Sequence, residues 1–332
     1  MVVVEVYSIA IVMCFITMLA WGSWANTQKL ASQKWPFQLF YWDYSIGMIL
    51  MALILAFTMG SIGDTGRSFL ADLQQADSSA LGTAFLSGAV FNVSNILLVI
   101  AIDIAGLAVA FPLGVGLSLV IGVALSYFVN AQGNPILIFV GVLLVVLAMI
   151  LNATAYKRMP GEGKKNVNKG IIISIISGIL MGLFYPIIIR SMVSDFNVPE
   201  TGLLTPYTAL FIFAIGIFVS NFLFNSIAMY KPVSGEKTSY KEYFILGTPK
   251  LHLIGILGGA IWGTGMLFNV VASGAAGPAI SYGLGQGATL IAALWGVFVW
   301  KEFKDAPKGT NKILAFMFLS FIVGLGLIIA AK

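Results

Sequence analysis

The sequence predicts an all-α polytopic membrane protein: ten transmembrane helices as two inverted five-helix repeats, 1–155 and 169–332, joined by a cytoplasmic linker over 156–168. Three observations carry that expectation. Of 332 residues, 59% are hydrophobic and only 9% charged, with a mean hydropathy of +0.97; a soluble domain carries roughly 25% charged residues. The apolar residues run in stretches of about 20 between polar breaks, the length an α-helix needs to cross a bilayer. The chain also matches itself without a gap when Leu86 is laid on Leu257, a shift of 171 positions.

The first helix is expected over 6–25. Its start, MVVVEVYSIA, carries Glu5 and no lysine or arginine, which does not fit the basic start of a cleaved signal peptide, so this helix is expected to remain. Trp21 lies deep in it beside Gly22 and suits a binding site. The second helix, over 38–60, opens with FYWDYS. Its Asp43 falls about one turn inside the membrane at 1.5 Å per residue. There a carboxylate is either a proton-coupling or gating group, or an interfacial acid bonded to a tyrosine or a loop amide. Trp24, Trp35, Tyr41, Trp42, Trp295 and Trp300, near helix ends, are expected as interfacial anchors.

The third helix, over 81–102, places Asn92 and Asn95 in an otherwise apolar run. An unpartnered amide in hydrocarbon costs on the order of several kcal/mol, so each must meet a solute or another helix. Three residues apart, they share a face about a turn from each other, with Asn92 expected farther from the membrane centre. The fourth helix, over 104–129, holds Pro112, Gly114 and Gly116, and the fifth covers 135–155. The linker YKRMPGEGKKNVNKG that follows is basic. Its GEGKK lacks the first glycine of a phosphate-binding loop, has lysine where serine or threonine should follow, and comes after no strand, so it reads as a flexible connector.

The second five helices are expected over 169–191, 203–229, 251–273, 276–300 and 312–331. Over 86–118 the shift produces ten identical pairs, among them Gly88/Gly259, Gly106/Gly277, Gly114/Gly285 and Gly116/Gly287, where apolar composition alone gives roughly three. WGSWAN (21–26) also lies opposite MGLFYP (181–186) through Gly22 and Gly182. Five is odd, so the second copy enters the membrane from the opposite side. Two copies facing opposite ways can exchange conformations and open a site between them to each side in turn. Gly274, Gly277, Gly283, Gly285, Gly287 and Pro278 let helices approach closely or leave backbone open to a ligand. The GxxxG spacings at Gly178/Gly182, Gly255/Gly259 and Gly259/Gly263 read as packing.

Trp262, Gly265, Met266 and Asn269 repeat on the eighth helix the spacing of the third, and Gln286 stands in GLGQG on the ninth. The solute-binding set is therefore Trp21, Asn92, Asn95, Trp262, Asn269, Tyr282 and Gln286. Amides beside aromatic rings, with no fixed charge, suit a small neutral polar solute such as a sugar, nucleobase or ureide.

Cys14 and His252 are the only residues of their kinds, which excludes an intrachain disulfide and argues against a Cys/His metal site. No cofactor is indicated, and no nucleophile with a base suggests an enzyme. The net charge of +5 does not point to nucleic acid, because the basic residues sit in short interhelical loops. Fifteen of the 18 lysines and arginines fall on one side of a ten-span topology, leaving Arg67, Arg190 and Lys332 on the other. That split puts the basic loops in the cytoplasm and both termini outside a plasma (inner) membrane. Asp103 and Glu302 are expected at helix ends facing the cytoplasm, where solvation accounts for them.

Several long stretches resemble the drug/metabolite transporter superfamily, specifically its ureide permease and glucose/ribose uptake families. The ureide permease likeness runs through YWDYSIGMILMALILAFTMGSIG, MGLFYPI and LTPYTALFIFAIGIFVSNFLFNSIAMYKPVSG. The glucose uptake likeness runs through GGAIWGTGMLFNVVASGAAGPAISYGLGQGATLIAALWGVFVWKEF. The resemblance implies ten helices and secondary import of a small polar solute coupled to a proton; export of amphipathic compounds is the alternative within the superfamily. The chain departs from plant ureide permeases in its short central linker. It departs from sugar members at Asn95 and Met266, where a Gln or Asn is common.

Overall fold

The computed structural model describes residues 1–31, 35–159, 167–233 and 236–332. Ten helices there are long and apolar enough to cross a membrane, numbered spans 1 to 10 in chain order: Tyr7–Ala31, Phe37–Phe57, Ser78–Ala105, Val109–Val129, Pro135–Lys157, Asn168–Ser191, Pro206–Tyr230, Pro249–Ala276, Pro278–Val299 and Thr310–Ile329. The chain is a polytopic membrane protein. Leu50, Ile54, Leu143, Phe222, Leu319 and Ile322 project outward and exposed, as expected of helix faces that hydrocarbon rather than water must cover. The centre of the linker, including GEGKK, and Lys34 of the basic side lie outside the described residues.

Two short helices, absent from the sequence expectation, lie between spans. Phe69–Gln75 connects spans 2 and 3, and Tyr240–Leu246 connects spans 7 and 8. The second opens on a capping box in which Ser239 accepts from the Glu242 N–H and Glu242 reaches back to the Ser239 N–H. Both have seven residues, and their boundaries differ by the shift that aligns the sequence halves.

The same correspondence governs the longer elements. Spans 3 and 8 each have 28 residues, and each ends on a glycine with positive φ, Gly106 at 81° and Gly277 at 86°. That conformation turns the chain at once into the next span and strains any residue with a Cβ. Span 4 carries a π-helical turn near its start, over Pro112–Gly116, whereas span 9 is interrupted near its middle at Gln286 and Gly287 and carries a π-helical turn at its end, over Trp295–Val299. Glycine also sets the closest helix approaches. A Cβ on Gly259 of span 8 would strike the Tyr44 carbonyl of span 2, and one on Gly88 of span 3 would strike the Phe213 carbonyl of span 7.

The two halves interlock. Span 1 packs on spans 8 and 9, span 6 on spans 3 and 4, and span 5 on span 10. The Tyr7 hydroxyl donates to the Ile329 carbonyl at 2.6 Å and the Lys332 ammonium lies over the Tyr7 ring, so both termini share one end. At that end the fully buried Asp72 accepts from Arg67 at 2.9 Å and from the Thr205 N–H at 2.8 Å. These bonds fasten the loop before span 3 to the start of span 7. The opposite, lysine-rich end carries Lys29, which pairs with Glu302 at 2.6 Å.

Candidate functional site

Trp21 of span 1 and Trp262 of span 8 meet inside the bundle. Their rings stack with centroids 5.5 Å apart, and the Trp21 indole N–H donates to the Trp262 carbonyl at 3.3 Å. Phe91 of span 3 lies 4.4 Å from the Trp262 ring and Phe213 of span 7 lies 6.0 Å away. Small residues make room for this cluster. A Cβ on Gly265 would sit 2.8 Å from Trp21, and one on Gly285 would sit 2.6 Å from the Asn269 amide and 2.9 Å from Trp21.

One helical turn from Phe91 toward the lysine-rich end, Asn95 donates its amide to the Tyr41 hydroxyl at 3.1 Å. Tyr41 stacks on Tyr44 at 5.2 Å, and Trp24 leans on Tyr44 at 4.9 Å. Tyr41 and Trp35 are therefore fully buried rather than interfacial, and Trp42 is 6% exposed. The expectation failed because nearness to a helix end in sequence does not locate the lipid headgroups when loops and short helices cover that end. Trp295 and Trp300 are partly buried and tie down the end of span 1, donating to Ser23 at 2.9 Å and to Asn26 at 2.7 Å. Glu302, expected to be merely solvated, also accepts a hydrogen bond from Tyr156.

A cavity of about 380 Å³ enters from the lysine-rich end between spans 2, 3 and 7, lined by Gln38, Phe37, Ile96, Val99, Asp103 and Thr238. Phe37 and Val99 stand one turn from Tyr41 and Asn95, so this cavity stops about one helical turn short of the Asn95–Tyr41 bond. A second cavity of about 380 Å³ lies at the terminus end, lined by Gln132, Arg190, Phe196, Ser273 and Gly274 among others.

Between the aromatic cluster and the second cavity, Asn269 donates to the Ser281 carbonyl at 2.7 Å. The Tyr282 hydroxyl shares a hydrogen bond with Ser118 at 2.8 Å, donates to the Met181 carbonyl at 3.3 Å, and is met by the Gln286 side chain. The structure thus brings Trp21, Trp262, Asn269, Tyr282 and Gln286 into one continuous interior, with Asn95 adjoining. Asn92 stands apart: its amide donates to Ser220 at 2.8 Å and to the Ile217 carbonyl at 3.3 Å on span 7. It lies at the middle of Ser78–Ala105, not farther from the centre than Asn95. Missed entirely were Asn221 and Asn225, buried on span 7 and bonded to Ser45 and to the Gln38 carbonyl of span 2. Their i, i+4 spacing in an apolar run was the available signal.

Asp43 is 1% exposed and faces away from this interior. It accepts from the Tyr243 hydroxyl at 2.5 Å and the Trp35 indole at 3.1 Å, and its other close neighbour is His252 Nδ1 at 2.8 Å. The tyrosine bond expected for an interfacial acid is present, yet the carboxylate is buried and has a titratable partner. Burial and the adjoining carboxylate raise the pKa of Tyr243, which keeps it a donor. His252 and Tyr243 were not found from sequence because their roles exist only once spans 2 and 8 pack together.

Comparison with known proteins bears on this arrangement. A family model described as ureide permease matches residues 40–167 and 157–331. Ureide permease 1 of Arabidopsis thaliana is 24% identical, over 97% of this chain and 97% of the relative. The glucose uptake protein GlcU of Bacillus subtilis (strain 168) is 28% identical, over 70% of this chain and 69% of the relative. A solved crystal structure shares the fold with a TM-score of 0.62 at 16% identity, covering 96% of each chain.

Proposed function

This chain belongs to the ureide permease family, and from that membership we propose that it is a secondary active transporter importing a small uncharged polar metabolite: a sugar, nucleobase or ureide. The observation that carries the reading is the interior itself. Trp21, Trp262, Asn95, Asn269, Tyr282 and Gln286 supply hydrogen-bonding groups and ring faces without a fixed charge, between a cavity at each end. Neutral amides and hydroxyls reward a solute that arrives neutral, whereas an ion would forfeit its hydration with no countercharge to replace it. Asn92 contributes less, since span 7 engages its amide.

Transport proceeds by alternating access between the two halves, 1–155 and 169–332, acting as inverted repeats across the linker at 156–168. The interruption of span 9 at Gln286 and Gly287, within the proposed site, favours this mechanism, because a helix broken near mid-membrane offers backbone groups to a solute. A proton drives uptake, with Asp43 as its carrier and His252 beside it. The protein resides in the plasma membrane with both termini outside, which the lysine distribution supports.

A thermal-shift panel of sugars, nucleosides, nucleobases and ureides on purified protein tests the solute class. A ligand at a hundred times its Kd stabilises by about 2.7 kcal/mol. Stabilisation by at least one neutral compound is expected; a flat response across the panel, or a response to ions alone, would overturn the reading.

A further inference from the structure

Five tyrosine side chains are fully buried or nearly so: Tyr41, Tyr44, Tyr185, Tyr207 and Tyr282. Four of their hydroxyls have partners: Asn95 for Tyr41, the Asn269 carbonyl for Tyr185, the Val2 carbonyl for Tyr207, and Ser118 with Met181 for Tyr282. Among the described residues the Tyr44 hydroxyl has none. A buried hydroxyl left unpaired is unfavourable, and phenylalanine would fill the same space without that penalty. The ring that carries this hydroxyl is stacked on Tyr41, whose own hydroxyl accepts from the Asn95 amide. The cavity from the lysine-rich end stops one turn short of Asn95 and Tyr41, and Tyr44 is stacked behind Tyr41 with Trp24 against its ring.

Resting on the transporter reading, we infer that Tyr41 and Tyr44 form, with Asn95, the solute subsite reached from the lysine-rich end. Opening at that end parts Asn95 from Tyr41 and frees an amide donor and a hydroxyl for the solute. The Tyr44 hydroxyl takes a further polar group of the same solute. Three neutral partners and the faces of Trp24, Tyr41 and Tyr44 define the ligand as a compact ring compound with adjacent carbonyl, N–H or hydroxyl groups. The one acid on this turn of span 2, Asp43, is turned away toward Trp35, Tyr243 and His252, so the subsite presents no charge.

Tyr44→Phe separates this role from a structural one, because each shifts a different observable. Binding of allantoin, uracil and D-glucose is followed by calorimetry, and melting is recorded on the same samples. The variant is expected to bind whichever probe the unaltered chain binds about tenfold more weakly or worse, with an unchanged or higher melting temperature. Unchanged affinity with a higher melting temperature would overturn the subsite. If the unaltered chain binds none of the three, the solute class fails, and the subsite is read separately. Tyr44→Cys in a Cys14→Ser background should then be alkylated by N-ethylmaleimide in native membranes as the lysine-rich end opens. A thiol at 44 that never reacts would overturn the subsite on its own.

Discussion

Asn95 gives its amide to Tyr41, one turn beyond a cavity, while Asn92 gives its own to Ser220 and Ile217 inside a helix contact. The two amides therefore fail in different ways when removed. Asn95→Ala should lower solute affinity by about tenfold or more, since a buried solute group left unpaired costs about 1 to 3 kcal/mol. Asn92→Ala should instead lower the melting temperature, because it removes the amide bonds that tie span 3 to Ser220 and the Ile217 carbonyl of span 7, and an interhelical bond of this kind contributes about 0.6 kcal/mol. A binding isotherm and a melting curve on one sample check both, and identical profiles for the two variants would contradict the assignment. Asp43→Asn retains the shape of the side chain and removes its charge. It should reduce uphill accumulation more than downhill exchange and flatten the pH dependence of uptake; an unaltered pH profile would leave Asp43 as a tie for the Tyr243 helix alone. The interior placement of Trp21, Asn95, Trp262, Asn269 and Gln286 was legible because a polar or bulky group amid small apolar residues stands out in one dimension. Tyr41, Tyr44 and His252 were not, because only the packing of span 2 on spans 3 and 8 separates them from the interface.

Spans 2 and 8, and spans 3 and 7, approach so closely that glycine is required at the crossings. Gly259→Ala drives a Cβ into the Tyr44 backbone, beside the proposed subsite, and overpacking of that kind costs about 1 to 3 kcal/mol. Gly326→Ala, in span 10, meets nothing within 4 Å and should melt like the unaltered chain. A comparable loss in both variants would remove the packing argument. All ten spans were legible at this scale, with most ends within three residues. A run of about 20 apolar residues has few alternatives to crossing a bilayer. The exceptions have local causes: the positive φ of Gly106 ends span 3 and the helix that leads into span 4 restarts at Leu107, and Asn26 to Ala31 extend span 1 because Trp300 and Glu302 hold its polar end. The two seven-residue helices escaped detection, being too short to display a period.

Taken whole, the molecule has a lysine-rich end and an end that holds both termini, and alternating access requires that each face a different compartment. In a Cys14-free background, a cysteine replacing Lys308 should be shielded from impermeant thiol reagents in intact cells, and one replacing Ser78 should react; both positions are exposed. The opposite labelling pattern would reverse the orientation. The charge split made the lysine-rich end and the opposite end that holds both termini legible without any structure, whereas the interlocking of the halves depends on contacts between spans far apart in sequence. The central claim, that a neutral polar solute crosses through the interior around Asn95, is tested most directly by counterflow in proteoliposomes. Vesicles loaded with unlabelled allantoin, uracil or D-glucose receive the same compound radiolabelled outside. At least one compound should accumulate transiently with the unaltered chain and fail to do so at low concentration with Asn95→Ala. Absence of counterflow for all three, or equal counterflow by the Asn95→Ala chain at every concentration, would contradict the account.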